Sequence, residues 1–115
     1  LQTDELFKAK EAIRQSIKSS IYRMAYTKQS RTHQILGCTY EEFKIHIEQQ
    51  FAPGMSWDNY GTWHLDHIEP VSLGQTEEEV IALNHYKNFQ PLWATDNIQK
   101  GNNTNWEKDP SKYGL

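Results

Sequence analysis

The 115 residues include one cysteine, Cys38, so no disulfide can form within the chain and a metal site built from paired CxxC motifs is excluded. Any metal would have to be held by His, Asp, Glu or Asn. Long apolar runs are also missing: nothing approaches the roughly 18 residues that a bilayer-spanning helix needs. No basic, apolar, small-residue leader opens the chain, so the expectation is a protein that neither enters a membrane nor is exported. The first residue is Leu1 and not methionine, as expected for a piece of something longer. An excess of positive charge is lacking too. The formal charge is −3, which argues against a polyanion partner. Its distribution reverses part of that argument. Residues 1–36 hold seven basic and three acidic residues, a surplus of four, so the remainder is acidic by seven. A basic arm on a carboxylate-bearing body suits an enzyme that grips nucleic acid with one part and a cation with another; a solvated helix face explains the same pattern.

At this length, with 37% hydrophobic residues, one domain with one core is expected over residues 1–115. Residues 1–34 read as a basic helical arm. Thr3 or Asp4 can cap a helix whose apolar positions Leu6, Ile13, Ile17, Ile21 and Met24 recur at helical spacing. Lys10, Arg14, Lys18 and Arg23 fall largely off that stripe, and Lys28 and Arg31 lie in the polar connector 26–33. Residues 35–61 comprise a helix and an aromatic turn. Thr39 and Glu42 make a capping box for a helix over 40–50, which Pro53-Gly54 stops. Residues 62–68 alternate as a short strand closed by Pro70. Thr76 caps a short helix containing Val80, Ile81 and Leu83, Phe89 to Trp93 return as a second strand with Pro91 at an edge, and Thr95 caps a helix over 96–100 that Gly101 ends. The tail 102–115 has no period, with Trp106 and Tyr113 as its anchors. Trp57, Trp63, Leu92 and Trp93 are expected in the core.

The chemistry-bearing residues lie in 62–101. Trp63-His64-Leu65-Asp66-His67-Ile68-Glu69-Pro70, then Asn88-Phe89-Gln90-Pro91-Leu92-Trp93-Ala94, then Asn97-Ile98-Gln99-Lys100-Gly101 together resemble the HNH nuclease pattern, and Ile35 to Phe43 extends the likeness to small phage-type HNH proteins. The final position of the pattern is here Asn97, nine residues after Asn88, as in the HNH domains of RNA-guided CRISPR effector nucleases. The resemblance implies an α+β fold: a mainly helical N-terminal part followed by a ββα-metal finger with a short two-stranded antiparallel hairpin. It also implies that Asn88 bridges backbone groups of the loop after the first strand and so orients His67.

Phosphodiester hydrolysis needs an activated water and neutralisation of charge on the phosphate and leaving oxygen. His67 can accept a proton near neutral pH. Asp66 and Asn97 offer hard oxygen ligands for one divalent cation, Mg²⁺ or Mn²⁺ in preference to Zn²⁺. Lys100, three residues beyond Asn97, lies on nearly the same helix face and could meet the phosphate. His64 shares strand parity with Asp66, as an added ligand or as an ordinary half-exposed histidine. The expected function is therefore a metal-dependent endonuclease on double-stranded DNA, with Lys10, Arg14, Lys18, Arg23, Lys28 and Arg31 gripping phosphates. It would work in the cytoplasm of a bacterial cell or phage-infected host, alone, as a homodimer or in a larger nuclease or phage assembly. A non-catalytic nucleic-acid-binding module and an RNA-cutting enzyme are the alternatives.

Overall fold

The computed structural model describes residues 3–115. It is an α+β structure in which helices surround a two-stranded antiparallel sheet. Helix α1 (Asp4–Arg23) starts where Thr3 accepts from the Leu6 amide, and it buries Ala9, Ala12, Ile13, Ile17, Ser20 and Ile21. That stripe packs on α3 (Tyr40–Glu48) and strand β1 (Trp63–His67), so the basic arm forms one wall of the core. Thr39 and Glu42 cap α3 reciprocally, as their spacing predicts. No helix among the described residues is long and apolar enough to cross a membrane.

Strand β2 (Phe89–Trp93) pairs with β1 in the register Trp63–Trp93, Leu65–Pro91, Asp66–Gln90 and His67–Phe89. The pair is joined by residues 68–88 and not by a tight turn. Within that connection α4 (Glu77–Ala82) has the Thr76 cap, closed by Glu79. Both tryptophans at the base of the sheet are core residues. Trp57 and Trp63 pack with Phe51 at ring-centroid separations of 5.1–5.5 Å, and their indole N–H groups donate to Glu48 and to the Ser56 carbonyl. Leu92 is fully buried, whereas Trp93, the register partner of Trp63, is only half-buried.

Three local expectations are corrected. The connector 26–33 gives way to a short helix, α2 (Thr32–Leu36), ended by Gly37 in the left-handed region. Helix α5 (Ala94–Lys100) follows β2 without a loop, so Thr95 lies inside it, and Trp93 occupies the capping position without a side-chain cap. The tail ends in a further short helix, α6 (Pro110–Tyr113), held by the Tyr113 hydroxyl, which donates to Asp96 at 2.7 Å and accepts from the Trp93 amide at 3.0 Å. Tertiary partners decide these three, because each segment is too short for periodicity to declare it.

Candidate functional site

The sheet register explains how the two central residues are held. Directly paired residues on antiparallel strands share a sheet face, so Asp66 meets Gln90 and His67 meets Phe89. Gln90 Nε2 donates to Asp66 Oδ2 at 2.9 Å, and the His67 ring lies 4.5 Å from the Phe89 ring, centroid to centroid. Adjacent strand residues point to opposite sides. A cleft of about 390 Å³ nevertheless touches both at the end of β1, and its wall includes Ser20, Arg23, Pro70 and Asn97.

On the Asp66 side the surroundings are charged. Lys100, 4% exposed, donates to Asp66 Oδ1 at 3.3 Å and to the His67 carbonyl at 3.0 Å. Burial pushes the Asp66 carboxyl above its ordinary range, while the Gln90 hydrogen bond and the Lys100 charge pull the other way. Lys100 was expected to meet a phosphate. Instead it is spent inside the protein and is absent from the cleft wall, because a buried ammonium must be paired and two acceptors stand beside it.

On the His67 side the hydrogen-bond partner and the packing wall are uncharged, with Arg23 and Lys100 near enough to be felt. His67 Nε2 lies 2.8 Å from Asn84 Oδ1, and Asn84 is completely buried. Burial pushes the imidazole down to about 4, with Arg23 and Lys100 adding to the effect and the Asn84 hydrogen bond opposing it. The ring is thus neutral near pH 7, the form that can accept a proton.

The remaining residues fall as follows. Asn88 accepts from the Glu69 amide at 2.9 Å and donates to the carbonyls of Glu69 and Leu83 at 3.0 and 2.7 Å. It therefore ties the loop after β1 to the end of the α4 connection and does not face the cleft; its part is positioning. Asn97 lines the cleft, and its Nδ2 lies 3.2 Å from His64 Nδ1. Asn97 and Lys100, one turn apart on α5, address His64 and Asp66, two residues apart on β1. His64 is half-buried and is not part of the cleft wall.

The basic residues divide. Arg23 belongs to the cleft itself. Arg14, Lys18 and Lys28 line a separate groove with Tyr22 and Thr32. Lys10 sits 5.1 Å above the Tyr40 ring, and Arg31 is exposed at the start of α2.

Sequence reasoning missed Asn84, Ser20 and Lys108. Ser20 Oγ donates to Asn84 Oδ1 at 3.0 Å, joining α1 to the histidine. Lys108 is half-buried, 5.2 Å over the Tyr113 ring; burial lowers its pKa, and the Asp66 charge opposes that. None of the three belongs to a local motif, and each reaches the site from a different segment. The position of Asn84 just past the end of a short expected helix was the one faint sign.

The chain matches no family model and no solved structure. It is similar to two proteins of Acanthamoeba polyphaga mimivirus. It is 35% identical to uncharacterized protein L426 over 98 residues, covering 83% of this chain and 42% of that protein. It is 29% identical to uncharacterized protein L246 over 87 residues, covering 72% and 38%. The chain thus spans about two fifths of the length of these relatives.

Proposed function

We propose that the chain is a metal-dependent endonuclease of the HNH type, hydrolysing phosphodiester bonds in double-stranded DNA. The observation that carries this reading is the convergence of Asp66, His67 and Asn97 on one cleft, with Asn88 bridging the loop that follows His67. His67 takes the proton of a water whose oxygen attacks phosphorus; the bond to the leaving oxygen breaks, and that oxygen takes a proton from solvent. Among the described residues no three His, Cys, Asp or Glu side chains gather as a metal-holding group. One carboxylate and one amide oxygen fit a hard ion that keeps most of its water, Mg²⁺ or Mn²⁺, and suit zinc poorly. When bound by Asp66 and Asn97, such an ion would offset charge on the phosphate and the leaving oxygen. Arg23 would meet the phosphate at the cleft, and Arg14, Lys18 and Lys28 would hold the backbone farther along.

The test is a plasmid-nicking assay with Mg²⁺ and Mn²⁺. Wild-type protein nicks or linearises the plasmid, and His67→Ala lowers the rate by about 100-fold or more while circular dichroism shows retained folding. Equal inertness of both proteins across metals, DNA and RNA would sink the reading. One observation favours a second reading, a binding module without catalysis: Lys100 already neutralises Asp66. Its mark would be salt-dependent DNA affinity with no cleavage.

A further inference from the structure

We propose that Asn84 is a positioning residue that holds His67 in the tautomer with its proton on Nε2, leaving Nδ1 as the ring's proton acceptor, open to solvent. Its meaning for catalysis rests on the nuclease reading; the tautomer itself does not.

The argument starts from the end of α4. The Asn84 backbone N–H bonds to the Ile81 carbonyl, not the Val80 carbonyl four residues back. Asn84 Nδ2 takes that place, donating to the Val80 oxygen at 3.0 Å. A carbonyl oxygen only accepts, so the amide cannot be turned over: a flipped Asn84 would set oxygen against oxygen in a site with no water access. Oδ1 must then be the atom facing His67, and Oδ1 also only accepts. At 2.8 Å, Nε2 is therefore the donor. A neutral imidazole carries one N–H, so the lone pair available for a proton lies on Nδ1. Nδ1 has no hydrogen-bond partner among the described residues, and no partnerless polar side-chain atom there is buried, so Nδ1 reaches solvent. Ser20 gives Oδ1 a second donor at 3.0 Å, while its hydroxyl is also 2.9 Å from the Ile17 carbonyl. Its single proton is shared between these two acceptors, so Ser20 supports Oδ1 from the α1 side while the Val80 carbonyl sets the orientation of the amide. A side-chain acceptor behind a histidine sets which nitrogen works and how the ring is aimed.

Nitrogen-15 NMR of the histidine rings reads the tautomer directly. Wild type is expected to show His67 protonated at Nε2. Asn84→Leu, which removes the acceptor, is expected to lose that preference and to lower kcat by about 10–100-fold with KM nearly unchanged. A wild-type ring protonated at Nδ1 overturns the proposal without any variant, so a misfolded leucine variant does not shelter it. An unchanged tautomer in folded Asn84→Leu overturns it as well. Wild-type protein that carries Nε2–H, loses it in Asn84→Leu and cuts nothing supports the assignment of Asn84 and overturns the nuclease reading.

Discussion

The two sides of strand β1 hold neighbouring residues by different physics. On one side Asp66 lies against Gln90 and the buried ammonium of Lys100, with Lys108 near enough to be felt electrostatically. On the other side His67 lies against the Phe89 ring and a buried amide. A carboxylate meant to stay ionised in a buried place needs cations and donors around it, because desolvation favours its neutral form. An imidazole kept neutral needs the opposite, an apolar wall and one uncharged acceptor. A carboxylate behind His67 would favour the imidazolium, and the amide leaves the ring neutral. One strand can supply both environments because its side chains alternate between faces.

The comparison can be broken first on its charged side. Lys100→Met leaves Asp66 buried with its cation removed, and the expected loss of stability is about 3–5 kcal/mol by chemical denaturation. The double variant Asp66→Asn/Lys100→Met should recover part of this, since the uncompensated charge is gone. An equal loss in single and double variants would show that Lys100 matters for packing and not for charge.

The neutral side is tested by acid. The His67 pKa is lowered from about 6.5 in an unfolded chain to about 4 in the fold. Between these values the unfolded state binds a proton that the folded state does not, so stability falls as pH drops from about 6.5 and levels off below about 4. The contribution at stake is about 3 kcal/mol. Thermal unfolding of wild type and His67→Gln across this window checks it: the variant should have the flatter profile. A profile as steep as wild type would assign the acid sensitivity to other groups.

The smallest effect sharpens the comparison. Ser20→Ala removes one of two donors to Asn84 Oδ1 and should cost about 1 kcal/mol. Its tautomer signal should stay that of wild type, because the Val80 carbonyl still orients the amide. A redistributed tautomer would make Ser20 a partner in aiming His67.

Periodicity and capping chemistry reach far into this molecule. The 20-residue α1, the capping boxes of α3 and α4 and both strands lie where apolar spacing and Thr-x-x-Glu patterns put them. The bonds of Asn88 to Glu69 span 19 positions, so no local pattern announced them; only the resemblance pointed to a bridge there. Residues whose surroundings come from distant segments were less legible. Lys100 reads as a free cation on a helix face until α5 is seen closed over β1. Asn84 has no role in any local pattern. It gains one only when α1, α4 and β1 meet, bringing Ser20 and His67 to the same oxygen.

By itself, then, the sequence determined which segments are helix and strand and that Asp66, His67, Asn88 and Asn97 belong to one small region, because hydrophobic spacing, caps and short motifs act over a few residues. Only the tertiary structure decided which charges remain free, which nitrogen of His67 holds its proton and which residue aims it. Burial and hydrogen-bond partners set those properties, and in this chain the partners come from residues 17 to 64 positions away.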